Sequence, residues 1–179
     1  MQDITNEIKE ILMNKDEKIN IVHQKRRAVI NEMAALERNV LDEEYIRIAS
    51  MPRKNVEYYS VGLLRDDRDL YHILVESKEQ IKERKTVLRT MLWRLADEED
   101  MINRIWVCFM SLEGLEFSIL NQLYVEKKPY KQVENESGLS HMPFEQKRKN
   151  AILHIRQKYL SNKTLIDIFN VSKRMKQEI

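Results

Sequence analysis

The chain has little with which to make turns: among 179 residues there are 3 glycines and 3 prolines, at isolated places. So few turn residues predict few, long elements. Aromatics are also scarce at 7%, whereas charged residues reach 34%. That balance is the composition of a helical, surface-rich protein rather than a compact β protein. No apolar run approaches the ~18 residues needed to cross a bilayer, which argues against a membrane protein. The first residues, MQDITNEIKEIL, are acidic and polar where an export signal would be basic and then apolar. A single cysteine, Cys108, excludes an intrachain disulfide and fits a reducing compartment, so the expected location is the cytoplasm. Its setting, IWVCFM, predicts a small buried residue rather than a nucleophile.

The chemistry of an enzyme is missing as well. There is no glycine-rich phosphate loop, no Ser-His-Asp arrangement and no pair of carboxylates at catalytic spacing. His141 and His154 lie too far apart, and lack the Cys or Asp neighbours that a metal site requires. His23 and His72 fall in regions of helical repeat. The expectation is a protein without catalytic residues, cofactor or metal ion.

What the sequence does have is unevenly placed charge. The formal net charge is +2, yet residues 127–163 hold nine Lys or Arg against three Glu. That local excess of +6 leaves the remainder near −4, and nucleic acid is the commonest partner of such a basic end.

Heptads dominate the first two-thirds. Ile8, Lys15, Val22, Val29 and Leu36 recur at one seam position, with Leu12, Ile19, Arg26, Met33 and Val40 at the other. Leu74, Ile81, Leu88, Leu95, Ile102 and Phe109 form a second seven-residue line. Its companions, Leu70, Ser77, Arg84, Met91, Glu98 and Ile105, are only half apolar. Such seams must be covered by another helix, either within the chain or from a second copy. The segment SMPRKNVEYYSVG interrupts them, because Pro52 disfavours helix at Met51 and Gly62 marks the other side. A hairpin bent near Pro52 would set Arg26 roughly opposite Lys78. Such a region reads as a spacer or dimerisation stalk whose end Tyr58 and Tyr59 seal; the alternative is a tip that docks a larger partner through the two tyrosines. The run Asp97 to Asp100 could start a new helix. Equally, one helix of about 45 residues, ~70 Å long, could pass through it.

After Phe109 the punctuation changes. Ser111 can cap a helix from near Glu113, whose apolar face would be Leu115, Ile119, Leu120, Leu123 and Tyr124. Pro129 opens a short helix that Gly138 ends. Leu139 plugs the core and Ser140 caps a helix from His141 to about Leu160, with Phe144, Ala151, Ile152 and Ile155 facing inward. Short helix, glycine turn and longer basic helix make a helix-turn-helix.

These residues resemble region 4 of bacterial sigma factors. The resemblance rests on Ile119, Leu120 and Tyr124, then Tyr130 and Val133, then Gly138, Leu139 and Ser140, and finally Phe144, Ala151, Ile152, Ile155 and Arg156. The chain departs from the pattern at Glu134, Glu136, Ser137 and Arg148. With two long helices in front, the whole resembles phage late-transcription regulators of the ArpU and RinA type. The resemblance implies promoter binding in a phage or prophage.

The expected fold is all-α: a long antiparallel helical hairpin (coiled-coil) followed by a sigma region 4-like helix-turn-helix domain. Residues 1–110 form the long-helix coiled-coil region with a loop near 50–62. Residues 111–163 form the DNA-binding domain, and residues 164–179 a C-terminal amphipathic helix built on Leu165, Ile168, Phe169, Val171 and Met175. Ser140, His141, Met142, Glu145, Gln146 and Lys149 are candidates for reading bases, where Gln suits adenine, Lys guanine and Glu cytosine. Lys131, Lys147, Arg148, Arg156 and Lys158 are candidates for phosphate contacts. The expected function is a sequence-specific, DNA-binding regulator of transcription. Its partners would be double-stranded DNA, RNA polymerase and a second copy joined through the heptad helices. The alternatives are a protein-interaction module gripping RNA polymerase or another phage or host protein, and a phage small terminase subunit.

Overall fold

The computed structural model describes residues 4–49, 67–161 and 163–168; side chains 39–74, 76 and 77 also fall outside it. Pro52, Tyr58, Tyr59 and Gly62 of the interruption therefore lie outside the described residues, as do Phe169, Val171 and Met175 of the tail. The seam side chains Val40, Leu70, Leu74 and Ser77 are outside as well.

The described residues are all-α, with no strand among them. Two long helices, α1 (Ile4–Ala49) and α2 (Asp67–Met110), pack antiparallel. Three short ones follow: α3 (Gly114–Leu120), α4 (Tyr130–Ser137) and α5 (His141–Leu160). None of the described helices is long and apolar enough to cross a membrane. Contacts divide the chain into two compact units, Met1–Val22 with Asp97–Ile179, and His23–Ala96.

In the His23–Ala96 unit a thin seam centred on Leu88 and Leu95 holds the helices together, and exposed ion pairs flank it. Arg84 donates to Glu32 through Nε at 2.8 Å and Nη2 at 2.5 Å, and Lys85 lies 4.0 Å from Glu37. These pairs fix the register. Arg26 comes level with residues 90–96, not with Lys78 as a bend near Pro52 would demand. The reason is visible in the helix bounds: α1 runs on to Ala49 and α2 starts only at Asp67, so the midpoint lies beyond Pro52. The helix also passes through Asp97–Asp100 without a new start.

The other unit has a deeper core. Ile8, Ile11 and Leu12 of α1 are buried, as are Ile102, Ile105 and Phe109 of α2 and Ile152 and Ile155 of α5. Phe109 stacks on Phe117 at 5.0 Å and meets Trp106 at 5.2 Å. Lys15, an exception in the heptad, is accommodated because α1 leaves helical geometry at Asn14 (φ −138°, ψ 33°). The Lys15 ammonium then sits 4.3 Å over the Trp106 ring, a cation–π contact on an aromatic face. Burial pushes the Cys108 thiol up, which makes it a poor nucleophile.

Ser111 does not cap α3. Its hydroxyl donates back to the Cys108 carbonyl at 2.6 Å, and Glu113 takes the N-cap position without a side-chain bond. Leu115 is exposed, whereas Ile119 and Leu120 are buried as expected. Beyond Leu120 the helix widens into a π turn over Asn121–Val125. Lys127, with φ 55°, ends that run, and its ammonium donates to Asn14 Oδ1 at 3.2 Å.

The ends of α2 and α5 cap each other. Arg104 of α2 donates to three carbonyls in and past the last turn of α5: Tyr159 at 3.0 Å, Ser161 at 2.5 Å and Lys163 at 3.0 Å. Lys158 of α5 donates to the Ser111 carbonyl and hydroxyl just past α2, both at 2.9 Å. Carbonyls left without intrahelical partners are satisfied in each direction. At Thr164 a new turn begins with a capping box: Thr164 N–H donates to Asp167 Oδ2 and Asp167 N–H to Thr164 Oγ1, both at 3.2 Å.

Candidate nucleic-acid interface

Gly138 sits in the left-handed region (φ 67°) between α4 and α5, where a residue without Cβ is unstrained. The turn draws Val133 of α4 and Phe144 of α5 onto Ile119 of α3, with Leu139 partly buried against them. Tyr130 meets the Phe144 ring edge-on at 5.2 Å. Ser140 holds the N-cap position with extended backbone, and its carbonyl accepts the Phe144 N–H at 3.1 Å. Ser140 is exposed, and its side chain makes no cap bond.

Because Phe144, Ala151, Ile152 and Ile155 face inward, residues half a turn away must face outward. Met142, Gln146 and Lys149 do so, spaced four and three residues apart on one exposed stripe that continues to Leu153. Met142 is 76% exposed. His141 is exposed beside them, its Nδ1 2.9 Å from Glu134 Oε1. Of the phosphate candidates, Lys131 and Arg156 are exposed, and Lys147 is exposed with Glu116 4.0 Å away.

Three candidates are placed differently from the expectation. Glu145 is not on the outward stripe but half-buried, accepting from Arg148 Nε at 3.1 Å, Arg148 Nη2 at 2.9 Å and the Tyr130 hydroxyl at 2.5 Å. Arg148 is turned inward with it, and its Nη1 also donates to the Tyr124 hydroxyl at 2.9 Å. Lys158 is committed to Ser111. Each would have to give up intramolecular bonds to touch a nucleic acid.

The network has its own electrostatics. The Arg148 fork, then the Tyr130 hydroxyl, hold the Glu145 carboxyl down at about 2. Desolvation, aided by Glu145, pushes the Tyr130 phenol up to about 12. The same carboxylate raises the Arg148 guanidinium further, so the pair stays ionised throughout the physiological range. These bonds explain how Arg148 is tolerated on the inner side of α5: its charge is matched and its donors are used. Glu134 likewise faces His141, and exposed Glu136 accepts from Gln132 at 2.8 Å and Lys128 at 3.4 Å.

Sequence reasoning missed Glu116. This half-buried carboxylate of α3 lies 2.8 Å from His154 Nδ1 and 4.0 Å from Lys147 Nζ, fastening α3 to the back of α5. The signal available was only a carboxylate opposite a basic helix, without a spacing to identify it. Comparison with known protein families, curated proteins and solved structures finds no match.

Proposed function

We propose that the chain binds duplex DNA sequence-specifically, as a transcription regulator of phage or prophage type with a sigma region 4-like helix-turn-helix. In this reading α4 and α5 are its two helices and α5 enters the major groove. The observation that carries the proposal is the outward stripe of α5. Gln146 and Lys149 present groups that pair with adenine and guanine edges, and Met142 offers apolar surface for a thymine methyl. Lys131 and Arg156 supply exposed cations for phosphates beside it.

Selection of binding sites from random duplexes with the full chain tests the reading. Gln146→Ala should relax preference at one or two base pairs, by about 1–3 kcal/mol for a bidentate contact. Arg156→Ala should weaken all duplexes alike and flatten the salt dependence. Absence of any selected sequence would overturn the proposal.

One observation favours a second reading, a module that docks on RNA polymerase or another protein. Leu153 and Leu160 are exposed on α5, at 45% and 56%. If Leu153→Asp abolishes function while Gln146→Ala and Arg156→Ala leave it intact, that reading replaces the first. A small terminase subunit would instead be revealed by a ring of many copies in solution.

A further inference from the structure

Away from α5, the long helices carry a second concentration of positive charge. Residues 23–38 and 78–96, all within one compact unit, hold ten Lys or Arg against four Glu. Among them stands Trp93, 74% exposed on α2. An indole left so open on a helix is unusual, since a Trp side chain normally buries most of its surface.

The antiparallel register shows what surrounds it. Trp93 lies nine residues beyond Arg84, and His23 lies nine before Glu32. Counting from the other pair, it lies eight beyond Lys85, and Val29 lies eight before Glu37. Trp93 is thus level with residues 23–29 of α1, the stretch that includes Arg27. At about 100° per residue, with buried Val22 and Leu88 facing the seam, Arg27, Lys82, Arg89 and Trp93 fall on one side. That side is marked by the Lys85–Glu37 pair, the opposite one by Arg84–Glu32. Arg27, Lys82 and Arg89 are exposed, and none has a carboxylate partner among the described residues.

We propose that this side of the hairpin is a second nucleic-acid site, which takes a single strand. Arg27, Lys82 and Arg89 receive phosphates and an unpaired base stacks on Trp93. A positive surface combined with an exposed aromatic is the chemistry that binds single strands without sequence preference. Duplex DNA does not fit, because its bases are stacked inside and a rigid helix cannot bring an indole to their faces. A lipid surface fits poorly too. Interfacial helices need a continuous apolar face, and among the described residues of this side only the scattered Ile30 and Val75 accompany Trp93. The site is separate from α5, so it stands or falls independently of the reading given for that helix.

The test uses the full chain and labelled oligo-dT and oligo-rU of about 12 nucleotides, within the range of known single-strand sites. Binding by either oligomer is expected, and the two arms distinguish DNA from RNA. Trp93→Ala should weaken it ~5-fold or more, the low end for one base stacked on an aromatic ring. Trp93→Phe should restore most of the loss. Arg27→Glu with Arg89→Glu should abolish binding at moderate salt, while helix content stays unchanged by circular dichroism. Selected duplexes should bind all these variants as they bind the parent. Three results would overturn the proposal: no binding of either oligomer, binding indifferent to Trp93→Ala and matched by heparin, or binding only of anionic phosphatidylserine vesicles.

Discussion

Both compact units rely on arginine, but arginine does different things in them. In His23–Ala96, Arg84 meets Glu32 at the surface, where the two side chains keep 49% and 43% of their exposure. In the unit formed by Met1–Val22 and Asp97–Ile179, Arg148 meets Glu145 with 21% exposure on each side and a tyrosine hydroxyl at either end. Arg104 there has no carboxylate among its bonds but serves three carbonyls. Burial, more than distance, separates these cases. A guanidinium in water exchanges one set of hydrogen bonds for another, whereas a half-buried one leaves its partners unsatisfied when removed.

The sharpest way to break that contrast is Arg104→Ala. Losing charge-assisted bonds to three carbonyls should cost about 2–4 kcal/mol. Urea unfolding followed by circular dichroism would measure it, and a loss below about 0.5 kcal/mol would equate Arg104 with a surface residue.

Arg148→Ala comes next, at about 2–3 kcal/mol, because it strands the Glu145 carboxylate. Removing both charges with Arg148→Leu and Glu145→Met should return most of that loss, since apolar packing can replace a matched pair. If the double variant is worse than the single one, the network is itself the stabilising element.

Acid should reveal the same carboxylate. Glu145 is held at about 2 in the folded chain against an ordinary 4.5. Its folded-state value is depressed, so its contribution is fully present above the unfolded value and lost as pH falls toward 2. With solvent screening allowed for, the loss across that window should be about 1–2 kcal/mol. Denaturation midpoints between pH 5 and pH 2 would track it, and Glu145→Gln should flatten the slope. A parent and variant with the same slope would contradict the assignment.

The smallest effect is expected in the hairpin. Arg84→Ala should change stability by less than about 1 kcal/mol, and added salt should shrink the difference further. A larger, salt-insensitive loss would mean that the surface pair holds the helices together.

How far the sequence could be read follows the same division. Leu88, Leu95, Ile102 and Phe109 are buried as their seven-residue spacing predicts, because a repeat survives whatever the neighbours are. The Gly138 turn and the inner face of α5 were legible for a related reason: both depend on local geometry. Met91 and Arg84, placed in the weaker companion line, are exposed. The register of the hairpin was not legible, since the bend was located from Pro52 while the helix bounds depend on residues on either side.

Three site candidates turn inward for different reasons. Arg148 stands four residues from both Phe144 and Ile152, so helical spacing alone puts it on the inner face of α5. Glu145 and Lys158 lie at the edges of that face, where nothing local decides the direction. Beyond the Arg148–Glu145 pair itself, the three bond to residues far off in the sequence. Their partners are Tyr124, Tyr130 and Ser111, 15 to 47 positions away. Only the fold brings these together. Among the described residues Met142 and Gln146 have no such bonds, and exposed Lys149 only approaches Glu145 at 4.0 Å, so their outward direction agrees with the helical spacing.

The mutual capping of α2 and α5 bears on how this part of the chain opens. Helix ends ordinarily fray independently, each losing its last turn within the folded state. Here fraying of α5 would pull carbonyls from Arg104, and fraying of α2 would free the Ser111 oxygens from Lys158. Neither end can loosen without disturbing what holds the other. Amide exchange in the last turns of the two helices should therefore proceed at one common, slow rate, and a protease should find both ends closed until both give way together.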